Sequence, residues 1–261
     1  QPKASLRIDA LNGLHQASAR DFVLGSLFAE AATEAINPHL YPAVLAGLGV
    51  SISSDRAGLT LRVSGYSDRV VELVEFTSPY LTSVRIDEAK FEIICEKQLR
   101  ILRNKAKQPA QRHAFDIFTQ IIREVTWNDA QQIAVLEAVN YADLKDYVER
   151  SRQEVYLRGF AYGNLGTDQV RQLAKTLGTS LGGDGVLPVA KRFSYRVVKM
   201  APGTSAVLTK PIDSNESACM LVYQGDPLSE ENRAVLRITS QIMNTRFFQD
   251  LRTLQQTGYL V

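Results

Sequence analysis

Two hydrophobic periods meet near residue 46, and their order limits what this chain can become. From Ser18 onward the apolar positions Val23, Leu24, Leu27, Phe28, Ala31 and Ala35 recur at helical spacing. Ser18 and Asp21 form an S-x-x-D capping box ahead of them, so a long helix starts there. Pro38 and Pro42 predict its end, because proline removes a backbone N–H and crowds the preceding turn. Beyond them residues 50–53 and 59–63 alternate with period two around the polar residues 54–58, which predicts a β-hairpin.

Helices are expected after Ser67, over 87–105 and from Pro109, the last with Ala114, Ile117, Phe118, Ile121, Ile122 and Val125 on one face. Two shorter helices at 130–139 and 142–150 precede a strand at 154–161, closed by Tyr162-Gly163-Asn164. A helix opened by Thr167 carries Val170, Leu173, Ala174 and Leu177 and is stopped by Gly178. Near the start, Ala4 to Ile8 reads as an isolated strand. Strands grouped apart from a helical block define an α+β fold, with a mixed or antiparallel sheet covered by helices on one face. Glycine and proline density between Gly178 and Lys191 marks a linker, with a domain boundary near Leu187. Residues 188–261 then begin a second unit, with strands around 194–199, 205–209 and 217–223, a helix over 229–248 and a strand from Gly258. That unit reads as an incomplete repeat, and the natural protein is expected to extend beyond this chain.

With 30 basic and 28 acidic residues spread along the sequence, no basic stripe points to nucleic acid or an anionic membrane. No apolar run approaches the ~20 residues of a membrane span, so a soluble protein is expected, periplasmic or cytoplasmic. Cys95 and Cys219 lie far apart, outside any C-x-x-C spacing, and both are expected in the core. His15, His39 and His113 are too dispersed for a local metal site, and neither H-x-x-E-H nor H-E-x-x-H occurs. His113 with Asp116 reads as a surface pair. Gly178-Thr-Ser-Leu-Gly182 matches G-x-S-x-G, but a helix precedes it where a nucleophile elbow needs a strand. Gly47-Leu-Gly49 lacks the third glycine of a dinucleotide loop. Lys97, Arg100, Arg103, Lys105 and Lys107, beside Glu88, Glu92 and Glu96, read as a solvated, ion-paired helix face.

The segment Phe247-Phe-Gln-Asp-Leu-Arg-Thr-Leu-Gln-Gln-Thr-Gly-Tyr-Leu-Val261 resembles the R-T-x-x-Q-x-G-Y segment in the last domain of the pitrilysin, insulysin and nardilysin family. Residues 22–28 and 37–48, Val63-Ser-Gly-Tyr-Ser-Asp68, Phe91-Glu-Ile-Ile94 and Tyr162-Gly-Asn164 resemble landmarks of that family's third domain, in the same order. The resemblance implies a four-domain peptidase whose two bowl-shaped halves enclose a chamber. Zinc would be held by the N-terminal half, outside this chain, and no cofactor by this segment itself. Arg252 and Tyr259 would bind peptide substrate near the zinc, and no catalytic residue would lie in this segment. Leu254, Gln255 and Thr257 depart from the commoner Lys, Glu and Leu. The expected partners are a peptide substrate and the N-terminal half of the same protein, and a homodimer is compatible with the family. The alternative is a catalytically inactive structural or companion subunit of the same fold.

Overall fold

The computed structural model describes residues 2–182, 187–189, 193–226 and 229–258. The chain divides into two compact units, Gln1–Val198 with Val207–Cys219, and Lys199–Ala206 with Met220–Val261.

In the first unit β1 (Lys3–Leu11), β2 (Gly49–Ser54), β3 (Gly58–Tyr66) and β4 (Tyr156–Gly163) form an antiparallel sheet in the order β2-β3-β1-β4. The stretch read as an isolated strand is therefore central, with Leu6 opposite Val63 on one side and Ala161 on the other. Its alternation was visible; its partners, far along the chain, were not. The hairpin has the expected strands and turn, with Ser54 opposite Leu59.

Helices cover one face of this sheet. A short α1 (Leu14–Ala17) leads to α2 (Ala19–Leu45), capped as expected by the Ser18 hydroxyl, which accepts the Asp21 N–H at 3.0 Å. Helix α2 runs through Pro38 and Pro42 instead of ending there. Ile36 and Leu40 are buried among sheet and helix side chains, each contributing about 1.5–3 kcal/mol. That is comparable with the cost of about 3 kcal/mol for an interior proline. The stop comes at Gly47, whose φ of +78° closes a Schellman turn. Leu48 N–H donates to Ala43 O and Gly47 N–H to Val44 O, both at 2.9 Å. The Gly-Leu-Gly pattern is thus a helix cap leading into a strand.

Helices α3 (Ser67–Thr77), α4 (Glu88–Asn104), α5 (Ala110–Ile122), α6 (Asp129–Leu136), α7 (Tyr141–Ser151) and α8 (Thr167–Leu181) follow the predicted segments. Helix α8 passes Gly178 and ends at Gly182, because Leu177 and Leu181 are both buried and outweigh glycine's penalty of about 1 kcal/mol. Ser180 is consequently helical, which removes any elbow geometry. Two apolar clusters share α2 as a spine. Its first half packs with Phe91, Leu136, Leu144 and Tyr147, and its second half with Leu6, Leu61, Val63, Val70 and Leu177.

Three surface expectations change. His113 is buried, since it lies on the same inner side of α5 as Ala110, and Phe115 and Ile121 of that helix remain exposed. Cys95 is buried, whereas Cys219 is exposed, on a segment that forms no strand and has no interior side. The basic face of α4 is ion-paired, but across to other elements: Lys97 to Glu30, Arg103 to Glu137 and Lys105 to Asp129.

In the second unit the Ser229 hydroxyl caps α9 (Glu230–Phe247), which continues into a π-helical turn, Phe248–Leu254. No residue of α9 is buried. The strands expected around 194–199, 205–209 and 217–223 do not form among the described residues, although Val197 makes an isolated antiparallel bridge with Arg123. Alternation becomes a strand only when a neighbour completes its hydrogen bonds. The strand expected from Gly258 falls mostly on residues 259–261, outside the described residues.

Candidate functional site

Alternation along the strands places apolar side chains against the helices and polar ones on the opposite face. On β1 the covered side carries Ala4, Leu6 and Ile8, and the open side Lys3, Ser5, Arg7 and Asp9. Register extends the open side across the sheet. Arg7 stands between Arg62 on β3 and Phe160 on β4, while Asp9 stands between Thr60 and Arg158. Ser51 and Ser53 of β2 continue these rows, beside Arg62 and Thr60. Phe160 and Tyr162 are 65% and 73% exposed, an unusual degree for aromatic side chains two residues apart on one strand.

Asp9 organises this face. Its carboxylate is 2% exposed and accepts from Arg7 Nε at 2.8 Å, Thr60 Oγ1 at 2.8 Å, and Arg158 Nε and Nη2 at 3.0 and 2.7 Å. Burial pushes the carboxyl up, but the hydrogen bonds from Arg7, Arg158 and Thr60 outweigh it and hold Asp9 below the ordinary carboxylate range. Arg7 is correspondingly held above its usual value, chiefly by its hydrogen bond to Asp9. A buried carboxylate thus fixes two guanidiniums whose outer surfaces stay in water, while Arg62 has no ion-pair partner among the described residues.

Beside the hairpin end of the sheet lies a buried polar latch. His15 is 1% exposed; its Nδ1–H donates to the Asp55 carbonyl, and its Nε2 accepts from the Tyr147 hydroxyl at 2.5 Å. A carbonyl can only accept, so this pairing fixes the neutral tautomer. Burial lowers the His15 pKa and, with it, raises that of Tyr147. Gly25 of α2 makes room for the pair: a Cβ there would fall on His15 Nε2 and lie 2.8 Å from the Tyr147 hydroxyl. Trp127, the single tryptophan, donates to the His15 carbonyl at 3.0 Å. Asp21 is tied to Arg150 of α7 at 2.7 Å, so the helix cap and the latch belong to one polar layer. Burial pushes the Tyr195 phenol up, and the nearby carboxylates of Asp55 and Asp9 push it further, so Tyr195 borders the open face at this end.

Arg252, predicted to contact substrate, lies in the π-helical turn with its guanidinium 4.9 Å from the Phe248 ring centroid. The turn ends where Gln256 adopts a φ of +52°, and Thr257 N–H and Oγ1 both bond the Leu251 carbonyl at 3.0 Å. Tyr259, the other predicted substrate contact, lies outside the described residues. Sequence reading missed Arg7, Asp9, Arg62, Arg158, Phe160 and Tyr162. The available signal was a lone aspartate inside a strand, Ile8-Asp9-Ala10, which needs a cation once buried.

The three histidines stay apart from one another. His15 is engaged at both nitrogens, His39 is exposed beside Phe76 and Tyr80, and His113 sits apart on α5. Among the described residues no group of three or more His, Cys, Asp or Glu could hold a metal ion, and no helix is long and apolar enough to cross a membrane.

The fold is shared with part of a solved peptidase structure. The crystal structure of pitrilysin superposes with a TM-score of 0.66 at 20% identity, over 71% of this chain and 20% of that one. A model of the middle or third domain of peptidase M16 matches residues 1–135, and one of the peptidase M16 inactive domain matches residues 138–261. The chain belongs to the peptidase M16 family. It is 27% identical to the insulin-degrading enzymes of Drosophila melanogaster and Homo sapiens, over its whole length and 27% and 26% of theirs. It therefore spans about a quarter of the length of the curated relatives it matches.

Proposed function

We propose that this chain is the non-catalytic portion of a zinc metalloendopeptidase, a wall that encloses peptide substrate and binds it opposite a zinc-bearing half. The observation that carries the reading is the R-T-x-x-Q-x-G-Y segment, Arg252 to Tyr259, within the region matched by the inactive-domain model. Arg252 supplies a fixed fork of donors for peptide carbonyls or a carboxylate, and the Tyr259 phenol a donor for an oxygen on which charge develops. In this reading zinc and the groups that bind it belong to the N-terminal half, and the segment is inactive alone. A unit boundary near Leu187 is part of the same proposal.

Hydrolysis of a peptide by the full-length protein should be abolished by a chelator and restored by zinc. Tyr259→Phe should lower kcat more than it raises KM, and an unchanged rate removes Tyr259 from the reaction. Failure to find any chelator-sensitive activity favours the second reading, a companion subunit that uses the same surface for assembly. The departures at Leu254, Gln255 and Thr257 support that alternative.

A further inference from the structure

We propose that the open face of the sheet is a docking surface for an extended, acidic peptide segment bearing an aromatic or large apolar residue. This rests on the substrate-binding reading above and names the chemistry that the first unit selects. The strand residues on the face carry Lys3, Arg7, Arg62 and Arg158 against Asp9, a sum of 4 − 1 = +3 in a chain of net charge +2, with the hairpin-turn carboxylate Asp55 acting on Arg7 from one end.

The positive charge is presented in a fixed arrangement. Asp9 grips Arg7 and Arg158 from below, so their forks are held before any ligand arrives, and little side-chain entropy is lost on binding. Arg62, next to Arg7 in the register, is exposed and supplies the cation whose charge no partner among the described residues offsets. A carboxylate meeting two neighbouring guanidiniums can be held by paired, charge-assisted hydrogen bonds.

Spacing selects an extended chain. Phe160 and Tyr162 project from the same face of β4, about 6.6–6.8 Å apart along the strand. Alternate side chains on one side of an extended peptide have that same repeat. A peptide lying along the face can therefore set one apolar side chain on the exposed rings while its carboxylates reach the arginine row. A net excess of only three charges is small for a phosphate backbone, where affinity grows with each phosphate neutralised.

The test is fluorescence anisotropy with the 261-residue chain and three labelled probes. These are a ten-residue peptide alternating Asp or Glu with Phe, its Asn and Gln isostere, and a ten-nucleotide oligothymidylate. The acidic peptide should bind about tenfold more tightly than the isostere at low salt, with the preference shrinking as salt rises. Arg62→Gln, an exposed change that leaves the core intact, should cut that preference about fivefold, and Phe160→Ala should weaken both peptides. Equal affinity for the two peptides, or a preference that Arg62→Gln and Arg158→Gln leave untouched, overturns the proposal while the substrate-binding reading stands. Tighter binding of the oligonucleotide also overturns it. Absence of binding by either peptide counts against both.

Discussion

Helices α2 and α9 begin alike and end up in opposite surroundings. Each is opened by a serine whose hydroxyl accepts an N–H three residues on, and each carries apolar residues at helical spacing. Yet α2 buries Leu24, Leu27 and Phe28 to 1% exposure or less, while Val235, Ile238, Ile242 and Met243 of α9 stay 53–62% exposed. Caps and periodicity decide that a helix forms. What decides whether it stabilises a fold is the set of distant segments that come to cover it. For α2 these are the sheet and α3, α4, α6, α7 and α8, whose residues lie as far along as Leu181, 145 positions beyond Ile36.

The widest gap between the two helices should appear on truncation of their apolar faces. Phe28→Ala should cost about 3–5 kcal/mol, whereas Ile238→Ala should shift stability by less than about 0.5 kcal/mol, as read by urea denaturation followed through Trp127. Equal losses would break the comparison, because α9 would then be as much a part of the cooperative unit as α2.

A smaller effect tests whether the unit around α2 also depends on its buried polar ties. Asp9→Asn leaves two guanidiniums without their carboxylate and should cost about 2–3 kcal/mol, moderated because both arginines are partly in water. Its pH signature is distinct. Asp9 is depressed in the folded state, so its contribution is complete above the unfolded value of about 3.9 and is lost as pH falls through the folded one. His15 is also depressed, and being a base it favours the neutral folded form. Stability should therefore start to fall as pH drops below the unfolded histidine value of about 6.5. Denaturation midpoints between pH 7 and 3 should show both declines, and His15→Gln should remove only the upper one.

The smallest effect sharpens the contrast at the caps. Ser18→Ala and Ser229→Ala remove equivalent hydrogen bonds, each worth about 1 kcal/mol of helix stability. The first should lower the global unfolding midpoint. The second should reduce helix content by circular dichroism while leaving the midpoint of the first unit in place.

Local signals explain why most helices were legible: Ser18, Asp87 and Ser229 each cap the helix predicted to follow them. The errors came where tertiary burial overrode a local stop signal. Leu40 carries α2 past Pro38 and Pro42, and Leu181 carries α8 past Gly178. Of the candidate site, Arg252 could be singled out because its motif is contiguous. The sheet face could not, because Arg7, Arg62 and Arg158 become neighbours only through a register that joins strands far apart in sequence.

The central position of β1 also sets a timetable for synthesis. Its pairing with β3 can be completed once residue 66 has emerged, but its other edge stays open until β4 follows, between residues 156 and 163. At about 5–20 residues per second the ribosome needs about 5 to 20 seconds to make the intervening segment. Throughout that interval Ser5, Arg7 and Asp9 line an unpaired strand edge, and the charges that mark the finished surface also discourage a second nascent chain from adding to it.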